Sequence, residues 1–164
     1  MVNIEIGQFH RLYVAAGRAE QLTEQDVSAI NKLMSDLTEG EAKALSRIDL
    51  LRMVNQSDFL MLVARDTDIA EWDRPNIVGT GSIHWKLTPT GIKAFIDDVV
   101  VDDNYQRKGI ATRIIRELIH TAKTIKAVSI KLTSKPERVD ANKLYLKLGF
   151  ILMNEETNLY RMNL

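Results

Sequence analysis

The feature that most constrains the fold is an extended apolar segment that runs through a polar turn into a long amphipathic helix. Residues 94–101 end in three consecutive β-branched valines, which favour a strand. From Gly109 onward, apolar residues recur at helical spacing. The first turn of a helix carries unpaired N–H groups and a partial positive charge, so this strand–turn–helix unit is a potential anion site. Gly109, preceded by Arg107 and Lys108, would let an anion approach the backbone.

The remaining patterns predict a mixed α/β sheet with helices on its faces. Alternation favours strands, 3.6-residue spacing favours helices, and Thr23 is a candidate cap for the first helix. The turn residues at 88–91 join two extended segments, which predicts an antiparallel meander of three strands. The predicted elements are strands at 2–6 and 12–16, helices at 23–37 and about 41–55, strands at 59–64, 77–87 and 94–101, a turn at 65–76, a helix at 109–125, a strand at 128–133, a helix at 138–148, and a hairpin of 150–153 with 159–162. In the second helix the side chains predicted to face inward are Ala44, Leu45, Ile48 and Leu51, with Met53 or Val54.

Length and composition predict one domain, 1–164, without sulfur chemistry. The chain has 164 residues and no cysteine, which excludes disulfides, thiolate metal sites and a cysteine nucleophile. The longest apolar run, 59–64, is far shorter than the ~20 residues that span a bilayer, and 1–10 lacks the pattern of a signal peptide. We therefore expect a cytoplasmic protein without a membrane partner. The three histidines do not have metal-like spacing, so no metal is expected.

The net charge of zero, from 22 basic and 22 acidic residues, argues against a nucleic-acid partner. The charge is unevenly distributed along the sequence, because residues 104–147 contain 11 Lys and Arg against 3 Asp and Glu. This basic segment includes the potential anion site. A phosphate-bearing ligand there, together with a cationic ligand on the acidic remainder, would account for this distribution.

Gln106, Gly109 and Ala111 form the pattern Q-x-x-G-x-A, which fits neither the P-loop nor the dinucleotide fingerprint. The pattern resembles the acyl-CoA-binding motif of the GNAT superfamily of N-acyltransferases, Q/R-x-x-G-x-G/A. The similarity covers about 77–164, since 96–101 resembles the central strand of the family and 141–150 its A-x-x-L-Y-x-x-x-G-F signature. Many members have Arg where Gln106 stands and Gly where Ala111 stands.

The resemblance implies a GNAT-like fold: a central mixed, mostly antiparallel sheet, splayed at its central strands, with helices on both faces. The acceptor side would be formed by about 1–94 and the acetyl-CoA-binding core by about 95–150. Acetyl-CoA is the implied co-substrate, its pyrophosphate on the backbone amides of 106–111 and its pantetheine arm along the central strand. The implied binding residues are Val99, Val100, Val101, Gln106, Arg107, Lys108, Gly109, Ile110, Ala111, Thr112 and Asn142.

Tyr145 occupies the position that in many relatives protonates the departing thiolate. A phenol with a pKa near 10 can give a proton to a thiolate of similar basicity. Tyr145 also lies beside Leu144 and Leu148 on an apolar face, so a packing role remains an alternative.

The sequence leaves four candidates for the general base: Asp97, Asp98, His84 and water. The two aspartates resemble an acidic pair that lines the acceptor site of glucosamine-6-phosphate N-acetyltransferases, so both are predicted to lie near the substrate. Adjacent strand residues point to opposite faces of a sheet, so one of them would face the acceptor.

The function implied by the resemblance is transfer of an acetyl group to a primary amine by direct attack in a ternary complex, because no cysteine can carry the acyl group. A backbone N–H near Val99 would stabilise the oxyanion. The alternatives are a non-catalytic acyl-CoA sensor on the same fold and a nucleotide or phosphate binder. The acceptor, a small molecule or a peptide, has no recognisable specificity motif. Members of the family are often dimers, so the resemblance also allows a homodimer.

Overall fold

A five-stranded mixed sheet forms the frame of the larger of two compact units, Met1–Thr133 and Ser134–Leu164. The computed structural model describes residues 2–9, 22–69 and 76–153. The first unit contains β1 (Ile4–Gln8), α1 (Glu24–Thr38), α2 (Arg47–Val54), β2 (Phe59–Asp66), β3 (Ile77–Thr88), β4 (Gly91–Val101), α3 (Ile110–Thr124) and β5 (Ala127–Leu132), and the second contains α4 (Val139–Lys147).

The strands lie in the order β1-β2-β3-β4-β5, with every neighbouring pair antiparallel except β4 and β5. The predicted meander is therefore confirmed as β2, β3 and β4. The parallel pairing of β4 with β5 runs from Ile92 opposite Ala127 to Ile96 opposite Leu132 and then stops, although β4 continues to Val101. Strand β5 itself ends at Leu132, so Asp97 to Val101 of β4 have no strand partner on this edge within the described residues.

Helices α1 and α3 pack on opposite faces of the sheet. Ile30 and Leu33 of α1 belong to a buried cluster against which Val100 of β4 packs, whereas Ile114 of α3 lies close to Gly81 on the other face. A Cβ atom at Gly81 would come within 2.8 Å of the Ile114 Cγ2 atom, so the glycine permits this close packing. The buried α3 side chains are Ile110, Ile114, Ile115, Leu118 and Ala122.

The prediction for the second helix is wrong in its start and in part of its buried face, although Leu45 and Val54 pack on the core as predicted. Ser46 and Asp49 form a capping box, so α2 begins at Arg47 rather than near residue 41. The residues before it are held by Asn31, whose side-chain amide makes hydrogen bonds of 2.9 and 2.8 Å with the backbone of Leu45. Leu50 is fully buried, whereas the predicted core residue Ile48 is 61% exposed. Ala44 and Leu51 are also exposed.

Apart from the final hairpin, the other predicted elements that lie within the described residues agree with the structure to within a few residues. Thr23 caps α1 through a capping box with Asp26. The predicted turn at 65–76 begins as the last two residues of β2, and 150–153 form no strand within the described chain. The predicted segments 12–16 and 159–162 lie outside the described residues. Within the described ranges no helix is long and apolar enough to cross a membrane.

Candidate functional site

The predicted acidic pair lies on β4 immediately beyond its pairing with β5. Asp97 is the first β4 residue beyond the paired stretch, and it still lies opposite Ser82 of β3. Between Asp97 and Val100 the register with β3 shifts, and Asp98 has a left-handed φ of 56°. This bulge interrupts the alternation that would place the two aspartates on opposite faces.

Asp98 is solvent accessible, yet burial of part of its carboxyl raises its pKa above the ordinary value, and the neighbouring Asp97 charge adds to the effect. The Asp97 carboxylate lies 3.0 Å from Nδ1 of His84, which stacks on Phe95 with a centroid distance of 5.1 Å. The structure thus brings His84 next to Asp97, and Asp97 next to Asp98, where β4 extends beyond the end of β5.

The amide turn, residues 102–109, connects β4 to α3 and presents backbone N–H groups at the start of the helix. It contains one 3₁₀ turn, Asp103–Tyr105, and then two left-handed residues, Arg107 (φ 57°) and Gly109 (φ 77°). Gly109 is the helix N-cap, and apart from its chain neighbours no atom of the described residues lies within 4 Å of the position that a Cβ atom would take there. The first N–H groups of α3 have no partner within the helix, so this open turn can cradle an anion.

Some of the predicted cofactor-binding side chains in this turn are exposed, and others are buried or hydrogen-bonded within the turn. Arg107 is exposed, whereas Ile110 is 2% exposed and can offer only its backbone amide. The Lys108 ammonium donates to the Asn104 carbonyl at 2.9 Å and lies 4.7 Å from the centre of the Tyr105 ring. The side-chain amide of Gln106 donates to the Asp103 carboxylate at 2.6 Å. Gln106 and Lys108 therefore stabilise the turn, and Arg107 is the cation left to face a ligand.

Two side-chain contacts anchor the turn to other elements. The Tyr105 hydroxyl donates at 2.7 Å to Asp66, a carboxylate that is 4% exposed at the end of β2. The Lys32 ammonium of α1 donates at 2.7 Å to Asp102, and its hydrogen bonds with Asp102 and Asp36 raise the pKa of Lys32 to about 12. Sequence patterns did not identify these anchors, because they join residues 39 and 70 positions apart.

The Tyr105→Phe variant should lower the free energy of unfolding by about 1.5–3 kcal/mol, the usual worth of a hydrogen bond to a charged group. It should also weaken acetyl-CoA binding, because the turn loses an anchor. Chemical denaturation of Tyr105→Phe, Asp66→Asn and the double variant measures the coupling directly. Additive effects would show that the two side chains do not act together.

The second unit holds Tyr145 and Asn142 on α4. Gly149 has a φ of 92°, and the N–H groups of Gly149 and Phe150 donate to Leu146 and Tyr145 at 3.0 Å each, which forms a Schellman motif. Phe150 packs edge-on against the Tyr145 ring with a centroid distance of 6.1 Å. Burial raises the pKa of the Tyr145 hydroxyl, and the Arg138 charge acts in the opposite direction.

Asn142 is engaged within its own unit. Its side-chain amide donates to the Lys135 and Pro136 carbonyls at 3.0 and 3.3 Å. These bonds fix the segment that precedes α4.

Comparison with known proteins agrees with this geometry. The family model described as "Acetyltransferase (GNAT) family" matches residues 29–150. A comparison with curated protein sequences finds no significant match.

Solved structures share the fold over nearly the whole chain. An acetyltransferase from Trypanosoma brucei is 24% identical, with 97% of this chain and all of that chain covered and a TM-score of 0.67. An aminoglycoside acetyltransferase from an uncultured soil metagenomic sample, in complex with sisomicin, is 17% identical, with 98% and 96% covered and a TM-score of 0.71. Glucosamine-6-phosphate N-acetyltransferase from Arabidopsis thaliana is 14% identical, with 96% and 98% covered and a TM-score of 0.66. With a family model that matches most of its length, the chain belongs to the GNAT acetyltransferase family.

Proposed function

We propose that this protein transfers an acetyl group from acetyl-CoA to a primary amine by direct attack in a ternary complex. The observation that carries the proposal is the continuity of β4 with the amide turn. From Asp97 to Val101 one edge of β4 has no strand partner within the described residues, and this edge leads directly to Gly109. An extended pantetheine arm can pair with such an edge as an added strand would.

The turn fits the phosphate end of acetyl-CoA. Gly109 leaves open space where a side chain would otherwise lie, the Ile110–Thr112 amides begin α3, and Arg107 supplies a positive charge. The backbone of Val99 and Val101 would hold the arm, and the Val99 N–H is the candidate donor to the oxyanion. Bound acetyl-CoA supplies the thioester that donates the acetyl group.

The proposed roles of the side chains follow from the balance of the reaction. As the C–N bond forms and the C–S bond breaks, the amine loses a proton and the thiolate gains one. Tyr145 is proposed to give the latter proton. Its raised pKa keeps the hydroxyl protonated at neutral pH, which is the state an acid needs. Asp97 and Asp98, on the stretch of β4 beyond β5, favour a cationic acceptor.

Thermal shift and thiol release together test the proposal against its alternatives. Acetyl-CoA at 100 times its dissociation constant should stabilise the protein by about 2.7 kcal/mol, and ATP should not. A panel of spermidine, kanamycin, lysine and a lysine-containing peptide should then include an amine that triggers release of CoA. Stabilisation by acetyl-CoA without release by any amine would favour the non-catalytic sensor, and preferential stabilisation by ATP would favour the nucleotide binder.

A further inference from the structure

His84 and Asp97 form a close side-chain pair on neighbouring strands. Nδ1 of His84 lies 3.0 Å from the Asp97 Oδ2 atom, and the two side chains are 50% and 44% exposed. The imidazole is also stacked nearly parallel on Phe95, at an interplanar angle of 8°. One ring nitrogen thus contacts Asp97 and one ring face contacts Phe95, both on β4. Half of the histidine side chain remains exposed to solvent.

The position of the pair follows from the hairpin register. His84 lies opposite Phe95 on β4 and opposite Phe59 on β2, so the three side chains share one face of the sheet. Phe59 packs on the α1 and α2 core, which identifies this face as the α1 side. Asp97, two residues beyond Phe95, is the first residue of β4 that β5 no longer pairs. The pair therefore lies next to the edge of β4 that has no strand partner within the described residues.

We propose that His84 is the general base of the transfer reaction and that Asp97 is its positioning residue. The proposal rests on the proposed function. With Nδ1–H donating to Asp97, the neutral ring carries its lone pair on Nε2, directed away from the carboxylate. An acceptor ammonium beside the ring gives one proton to Nε2 and becomes a neutral amine whose lone pair can attack the thioester carbonyl. The imidazolium that forms is stabilised by the Asp97 carboxylate and later releases its proton to water.

Other charged groups face this ring, and Asp98 is the main competitor for the role. Near His84, the charged or titratable side chains are Asp97, Asp98 and Lys93 of β4, Lys86 of β3 itself and Asp58 just before β2. Asp98 belongs to the bulge and lies on the same stretch of β4 without a β5 partner as Asp97. If Asp98 were the base, removing its carboxyl would abolish the acidic limb of the pH profile, whereas removing the His84 imidazole would leave that limb in place.

The experiment measures kcat/KM against pH for the panel amine with the highest wild-type turnover. His84→Gln should lower kcat/KM by about 100-fold or more, in the range of general-base catalysis, and should remove the acidic limb. Asp97→Asn should give a smaller loss, and Asp98→Asn should retain the limb. His120→Gln is the matched control, because His120 is an exposed residue of α3 and should change nothing. The dissociation constant of acetyl-CoA should stay within about twofold in each variant, since none of these side chains lies on the amide turn.

A second readout tests the geometry without an acceptor. Nitrogen NMR of the histidine rings should show neutral His84 as the Nδ1–H tautomer, and Asp97→Asn should reduce that preference. An Nε2–H tautomer, or an acidic limb retained in His84→Gln, would overturn the inference while wild-type transfer still supported the proposed function. If the wild-type protein released CoA with no amine, the proposed function would fail first and the assignment of a base with it.

Discussion

Tyr145→Phe should lower kcat by about 100-fold to 10,000-fold, the usual contribution of a positioned general acid. The variant removes one hydroxyl group and keeps the ring. Because the thiolate would then leave without a proton from the protein, the loss should fall on kcat, and the dissociation constant of acetyl-CoA should change little. Rapid mixing of the preformed acetyl-CoA complex with amine, followed by detection of free thiol, measures the step.

The geometry of α4 makes this substitution conservative for folding. The Tyr145 ring packs edge-on against Phe150, and the Schellman bonds of the helix end involve only its backbone carbonyl. A phenylalanine at position 145 keeps both the ring contact and the backbone hydrogen bonds. Tyr145→Leu serves as the comparison, because it removes the ring as well and should also lower the melting temperature. Unchanged kcat in Tyr145→Phe would assign the residue to packing.

The pH dependence of kcat in the wild-type enzyme should also show that Tyr145 acts as the acid. The pKa of Tyr145 is raised above the ordinary value of 10.0, so the hydroxyl remains a proton donor through the neutral range. As the pH rises through this raised pKa, the donor ionises and kcat should fall. This alkaline limb should be missing from the Tyr145→Phe profile.

Gly109→Val should weaken acetyl-CoA binding by at least about 100-fold, which corresponds to about 2.7 kcal/mol. Two charge-assisted hydrogen bonds from the amide turn would account for that amount. A valine at φ 77° would strain the backbone and fill the open space where the diphosphate is proposed to lie. Isothermal titration with acetyl-CoA measures the loss.

Gly40→Val is the matched control for backbone strain. Gly40 follows α1, has a φ of 88°, and likewise has no atom within 4 Å of a Cβ position. Both substitutions should cost about 1–2 kcal/mol of stability, because a left-handed β-branched residue is unfavourable. Only Gly109→Val should lose acetyl-CoA affinity. Equal affinities in the two variants would place the phosphates elsewhere.

Most of the sheet and α3 could be predicted because their buried faces repeat with strand or helix period. The start of the second helix could not, since Asn31 binds the Leu45 backbone and holds 41–45 outside a helix that the apolar spacing favours. That contact joins residues 14 positions apart, which no local pattern shows. The bulge at Asp98 is a similar case, because a strand pattern gives no indication of a left-handed residue within it.

The parts of the candidate site that lie within one sequence motif could be predicted. The parts formed by side chains distant in sequence could not. The 106–111 pattern identified the amide turn, but the buried Asp66 that anchors Tyr105 lies in another strand. The His84–Asp97 pair lay within reach of sequence reasoning. Counting from the predicted turn at 88–91 pairs His84 with Phe95 across the hairpin and brings Asp97 diagonally near the imidazole.

The measurement that tests direct acetyl transfer most directly is a single-turnover reaction with excess protein over acetyl-CoA, quenched at intervals and analysed by mass spectrometry. With an active amine of the panel, acetylated amine and free CoA should appear together at equal rates, and no acetylated protein should accumulate. Acetylated protein that forms before acetylated amine, or CoA that appears without acetylated amine, would contradict direct transfer to the acceptor.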